Sequence, residues 1–258
     1  MYGAIAGDII GSVHEFIDTK TKDFSLFVEK SDFTDDSVLT AAVAASILDG
    51  ASYRNEILDF ARRYPMRGYG GRFKAWFHSQ DPQPYDSWGN GSAMRVSAVG
   101  LAFDDRDSVL AEAERSADCT HNHPEGVKGA QATALAIFLA RNGADKETIR
   151  RDVSETFGYD LDRTVDGIRP GYGFEESCQD SVPESIVAFL DADSYVDAVR
   201  NAVSLGGDAD TQACIAGGIA EAFYGGVPDD VMSETRRRLP QELLDVMDRL
   251  YDRFPLER

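Results

Sequence analysis

Two short acidic clusters, each tied to a threonine, stand near opposite ends of the chain. They are Thr34-Asp35-Asp36-Ser37 and Asp208-Ala209-Asp210-Thr211, the second preceded by Gly206-Gly207. Each opens an apolar stretch with helical spacing. A fold must therefore either spend them separately as helix caps or bring two remote helix starts together. Capping is a sufficient role for an Asp-Asp-Ser run, because free N–H groups and a positive dipole end favour carboxylates at a helix N-terminus. A cap needs one acid, however, and the second cluster supplies two and a threonine. Face to face, the four carboxylates would repel one another strongly without cations. Four carboxylates and two hydroxyls are all oxygen donors, the set that a hard divalent cation such as Mg²⁺ prefers. Two such ions about 3.5–4 Å apart would resolve the repulsion and create a hydrolytic site.

Helical spacing dominates the rest of the chain. The pattern predicts helices over 37–48, 92–103, 109–117, 125–139, 145–157, 182–190, 195–205, 211–224, 231–238 and 241–251. Residues 125–139 follow Pro124, a favourable first-turn residue. The best strand candidate is short, Asp23 to Glu29. Many helix rows are rich in small residues, which permits close helix–helix approach. Gly217-Gly218 falls inside the last apolar helix of the second cluster. Each interior glycine costs about 1 kcal/mol relative to alanine, so packing or ligand access must require the pair. The expectation is an all-α domain, a compact helical bundle with functional loops at 17–33, 65–91, 118–124 and 158–181.

Bulk properties narrow the class. With 258 residues and no linker-like or low-complexity run, a single domain spanning 1–258 is expected. No apolar run approaches the roughly 20 residues of a membrane span. The opening Met1-Tyr2-Gly3-Ala4-Ile5-Ala6-Gly7-Asp8 lacks the basic region of a signal peptide. Cys119, Cys178 and Cys214 show neither paired nor CxxC spacing, so a reducing, cytoplasmic setting is expected. The net charge of −19 argues against a partner that is a long nucleic acid. A small anionic ligand is still compatible, because bound cations reverse the local field.

Five elements in order resemble the ADP-ribosylglycohydrolase family. These are the opening run Gly3 to Glu15, Thr34-Asp35-Asp36-Ser37, Gly89-Asn90-Gly91-Ser92-Ala93-Met94-Arg95, Thr120-His121, and Gly206 to Thr211 followed by Ala216-Gly217-Gly218. The resemblance implies a compact, orthogonal all-α bundle around a binuclear Mg²⁺ site, with Mn²⁺ as the alternative ion. It implies that Thr34, Asp35, Asp36, Asp208, Asp210 and Thr211 hold metal, and that Glu15 and Asp36 are the catalytic carboxylates. It places Asn90, Gly91, Ser92, Met94 and His121 around an ADP-ribose ligand. The implied reaction is hydrolysis of the glycosidic bond between ADP-ribose and an acceptor, either a modified protein side chain or a small conjugate.

Several residues keep more than one reading. The Asn-Gly pair of the glycine loop also suits an ordinary helix-entry turn. His121 is favoured as a ligand contact, whereas His123 fits a polar loop equally well. Asp86 is a further acid near the glycine loop. Trp76, Phe77, Tyr85, Trp88, Tyr172 and Phe174 are candidates either for packing or for stacking on adenine. Two other functions compete with hydrolysis of an ADP-ribosyl bond. One is a non-catalytic ADP-ribose-binding or structural relative; the other is a Mg²⁺-dependent phosphohydrolase. Retention of the whole acid set weighs against the first.

Overall fold

The computed structural model describes residues 1–256. Fourteen helices account for the regular structure among them. In chain order they are α1 (Tyr2–Gly11), α2 (Asp35–Asp49), α3 (Tyr53–Arg63), α4 (Gly71–His78), α5 (Ser97–Ala102), α6 (Arg106–Asp118), α7 (Pro124–Arg141), α8 (Lys146–Phe157), α9 (Val165–Ile168), α10 (Cys178–Leu190), α11 (Tyr195–Ser204), α12 (Ala209–Tyr224), α13 (Asp229–Arg238) and α14 (Gln241–Arg253). No strand is present among the described residues; a single bridge pairs Gly89 with Ser177. No helix is long and apolar enough to cross a membrane.

The centre of the bundle is the pair α1–α12, and small residues explain it. In α1, Gly3, Gly7 and Gly11 recur every four residues and so form one stripe. A Cβ on Gly7 would lie 2.0 Å from the carbonyl oxygen of Ala213, and one on Gly217 would lie 2.3 Å from that of Gly3. The two backbones therefore touch, and any side chain at these positions would drive them apart. Packing is the reason for Gly217 inside α12, whereas a Cβ on Gly218 would make only ordinary contacts, the nearest 3.4 Å from Ala4 Cβ. The helix is buried from Ala209 to Ala222 and is enclosed by α1, α7, α10 and α11.

The structure departs from the sequence expectations in four places. Residues 23–29 form no strand. Phe24, Leu26 and Phe27 pack on the core from an irregular segment, and Arg200 supplies a donor to the Phe24 carbonyl at 2.8 Å in place of a neighbouring strand. The predicted helix 92–103 is instead a 3₁₀ turn at Asn90–Ser92 followed by α5. Between them the fully buried Arg95 donates to the Ser116 carbonyl at 2.7 Å and to Thr120 Oγ1 at 2.9 Å. The expected loop 65–91 contains α4, and the loop 158–181 contains α9 and the start of α10. Finally, α3 was not expected. Its charged residues mask a helical stripe of buried Tyr53, Ile57, Phe60 and Ala61.

Candidate active site

The site is assembled by α1, α2 and α12. Asp8 lies in the middle of α1 with no solvent exposure. Its carboxylate accepts hydrogen bonds from Thr34 N at 3.0 Å, Thr34 Oγ1 at 2.7 Å, Ser37 N at 3.1 Å and Ser37 Oγ. A residue of α1 thus satisfies donors at the start of α2, which are otherwise unpaired. Thr34 also caps the helix directly, its Oγ1 accepting from Asp36 N at 3.3 Å. These contacts fix the first turn of α2, from which Asp35 and Asp36 project. On the other side, the turn before α12 runs through Gly206 and Gly207 at φ of 74° and 80°, which glycine adopts without strain. Asp208 and Asp210 follow at once.

The two acidic clusters meet. One oxygen from each of Asp8, Asp36 and Asp210 lies within 4.8 Å of the others, and the same is true of Glu15, Asp208 and Asp210. Asp210 belongs to both groups. Burial is the first cause raising every one of these carboxyl pKa values. Asp8 and Asp208 rise to about 6, and Glu15 rises to about 8, with Asp210 as its second cause. Asp35 and Asp36 stand well above the usual range through burial and then Asp210; Asp210 does so through burial and then Asp208. Asp36 Oδ1 is buried with no hydrogen-bond partner. A crowd of destabilised carboxylates with an orphaned oxygen fits a hard cation, and these residues could hold a metal ion.

A cleft of about 260 Å³ opens over this floor. Of the residues expected from sequence, Glu15, Asp35, Asp36, Asn90, Gly91, Met94, His121, Asp208, Asp210 and Thr211 line it. Two do not. Thr34 spends its hydroxyl on Asp8, beneath the floor. Ser92 is buried and donates to the Gly126 carbonyl at 2.6 Å, so it braces the glycine loop from behind. Within that loop, Gly89 N donates to Ser87 Oγ and Asn90 N to the Glu176 carbonyl, so these two N–H groups are already engaged. The side chain of Asn90 donates to Asp208 Oδ2 at 2.6 Å and orients that carboxylate.

His121 is buried, and desolvation, followed by Arg95 and Arg72, holds its pKa well below the usual value. Its Nδ1 lies 2.7 Å from Thr120 Oγ1, which already accepts from Arg95. Its Nε2 lies beside Gly91. His123 instead caps α7, accepting from Glu125 N at 3.1 Å. Asp86 is exposed and outside the cleft. Trp76 and Phe77 are core residues, Tyr85 lines the cleft, and Trp88 and Phe174 are exposed near its rim. Sequence reasoning missed Asp8 as a site residue, although a lone acid inside the otherwise uncharged helix YGAIAGDIIG was a legible signal. Arg72 and Glu176 were missed as cleft residues. They lie on no pattern that a single sequence reveals.

An all-helical fold that gathers carboxylates from remote helix starts at the floor of a cleft defines a class of proteins built around an acidic, cation-compatible centre. Comparison narrows the class. The chain belongs to the ADP-ribosylglycohydrolase family, whose model matches residues 1–258. It is 27% identical over 305 aligned positions to the ADP-ribosylhydrolase ARH3 of Mus musculus, covering 86% of this chain and 82% of that one. It is also 27% identical over 294 positions to the ADP-ribosylarginine hydrolase Tri1 of Pseudomonas putida (strain GB-1), covering 95% and 76%. A solved structure titled ADP-ribosylglycohydrolase-related protein complex shares the fold, with a TM-score of 0.70 at 24% identity over 98% of this chain and 96% of that one.

Proposed function

We propose that the chain is a metal-dependent hydrolase that releases ADP-ribose from a modified acceptor, a protein side chain or a small ADP-ribose conjugate. The observation that carries this reading is Asp210, shared by two groups of three carboxylates at the floor of a single cleft. Two metal ions would be held by Asp36, Asp208 and Asp210 with Asp8 and Glu15; Asp35 and Thr211 border the same floor. Mg²⁺, with Mn²⁺ as the alternative, would supply neutralising charge and Lewis acidity when bound. The names of the similar hydrolases ARH3 and Tri1 support the reaction class.

The remaining work falls to the protein. Glycosidic cleavage passes through an oxocarbenium-like state, so the site must orient the ribose, favour developing positive charge and deliver water. Carboxylates on the cleft floor favour that charge. Glu15, half-buried at the edge of the floor, is the first candidate for moving a proton at a carboxyl oxygen. Asp36, with Oδ1 unpartnered, is the second candidate for proton transfer. Asn90 fixes Asp208, and His121 presents the Nε2 edge of a neutral imidazole to the ligand. Tyr85, inside the cleft, and Trp88, at its rim, offer aromatic faces for the base.

The test is a direct one. ADP-ribosyl-arginine, ADP-ribosyl-serine and O-acetyl-ADP-ribose are each incubated with the protein in Mg²⁺ and in EDTA. Release of free ADP-ribose from at least one, abolished by EDTA, is expected. Inorganic phosphate as the product, or tight binding without turnover of any conjugate, would refute the reading.

A further inference from the structure

We propose that Arg72 is the anchor for the anionic diphosphate at the middle of the ligand, an assignment that rests on the ADP-ribose reading above. The other charged side chains along the cleft are carboxylates: Glu15, Asp35, Asp36, Glu176, Asp208 and Asp210. Arg72 is the one lysine or arginine among its described lining residues. A diphosphate entering so acidic a place needs a fixed cation at the position where its charge comes to rest, in addition to any metal.

The side chain is placed and free for that role. Its guanidinium lies over the Tyr85 ring, 4.9 Å from the centroid, and donates one hydrogen bond to the Tyr85 carbonyl. It makes no ion pair among the described residues, despite the acids on the same cleft. Arg67, Arg163 and Arg236, by contrast, are each matched to a carboxylate. The tyrosine contact sets the direction of the planar fork and leaves further N–H donors for a bidentate oxyanion. Beside it, a Cβ added to Gly70 or Gly71 would meet nothing within 4 Å, so a ligand has room to approach.

Arg72 also stands at a junction. A second cavity of about 350 Å³ borders the cleft and shares Arg72, Ser87, Gly89 and Glu176 with it. A ligand with two uncharged ends and an anionic centre, lying across both chambers, brings that centre to the guanidinium. ADP-ribose has this charge distribution. With its terminal ribose over the carboxylates, its diphosphate reaches the border between the chambers.

Calorimetry separates this role from a structural one. ADP-ribose, ADP and adenosine are titrated into the native protein, Arg72→Gln and Arg72→Lys, each in Mg²⁺ and in EDTA. Loss of a charge-assisted bidentate contact should weaken ADP-ribose and ADP by about tenfold to hundredfold in Arg72→Gln. Adenosine binding should stay as in the native protein, and Arg72→Lys should recover part of the loss. Equal weakening of all three ligands, or no change in any, would overturn the assignment while leaving the ADP-ribose reading standing. Absence of ADP-ribose binding by the native protein under both conditions would instead remove the reading itself, and the assignment with it. If Arg72→Gln fails to give the native far-ultraviolet spectrum, Arg72→Lys decides the matter through its ratio of ADP to adenosine affinity.

Discussion

Asp8 and Asp210 are both buried acids of the same centre, yet their environments set opposite consequences for removal. Asp8 accepts from two backbone N–H groups and two hydroxyls, so it holds α2 in place as well as facing the other acids. Replacing it by alanine leaves those donors unpaired and should lower stability in chelator by about 2 kcal/mol at about pH 4, where no carboxylate charge is relieved by the change, measured by urea denaturation. Asp210 is pressed by its neighbours. Asp210→Ala should abolish metal binding and activity, while its stability in chelator stays equal to or above that of the native protein. A native-like metal affinity in Asp210→Ala, read by calorimetry, would contradict the shared-ligand role. Glu15→Gln should lower kcat far more than it lowers metal affinity; the reverse pattern would assign Glu15 to metal holding alone.

The same crowding sets a pH dependence with a definite sign. Asp8 and Asp208 are raised to about 6 from an ordinary 3.8. A raised folded-state pKa means that the folded chain binds the proton more tightly than the unfolded chain. The associated stability is therefore complete below the ordinary carboxylate value and is lost as the pH rises through about 6. In EDTA, thermal unfolding should shift to lower temperature between about pH 4 and pH 6. Mg²⁺ at pH 7 should restore it, by about 2.7 kcal/mol at a concentration a hundred times the dissociation constant. A metal-free protein whose unfolding temperature rises over that pH interval would refute the crowded-carboxylate picture.

Among the elements, the glycine face of α1 decides whether the centre forms at all. Gly7→Ala would place a methyl group 2.0 Å from a backbone oxygen of α12. That clash cannot be relieved by a rotamer change, so a loss of at least about 3 kcal/mol and a weakened metal affinity should accompany it. Unchanged denaturation of this variant would show that the helices have slack. Much of this level was legible beforehand. The boundaries of α2, α7 and α12 follow from Thr34, Pro124 and the Gly-Gly-Asp turn, because caps and turn residues act locally. The segments that failed are those where distant partners decide. Residues 23–29 alternate like a strand but find arginine donors in place of a sheet, and the break before α5 accompanies a buried arginine whose acceptors lie on and after α6. Ser92 shows the same limit within the site: a single sequence cannot tell a hydroxyl that faces a ligand from one that faces Gly126.

For the molecule as a whole, the acidic centre joins the first and last thirds of the chain. Asp8 and Asp36 come from one, and Asp208 and Asp210 from the other. During synthesis the early acids emerge long before their partners, so no complete binding site exists until α12 has been made and has closed against the glycines of α1. On the proposed metal-dependent reading, cation capture is then a finishing step of maturation, a seal upon an architecture already assembled, rather than a seed around which the nascent chain organises.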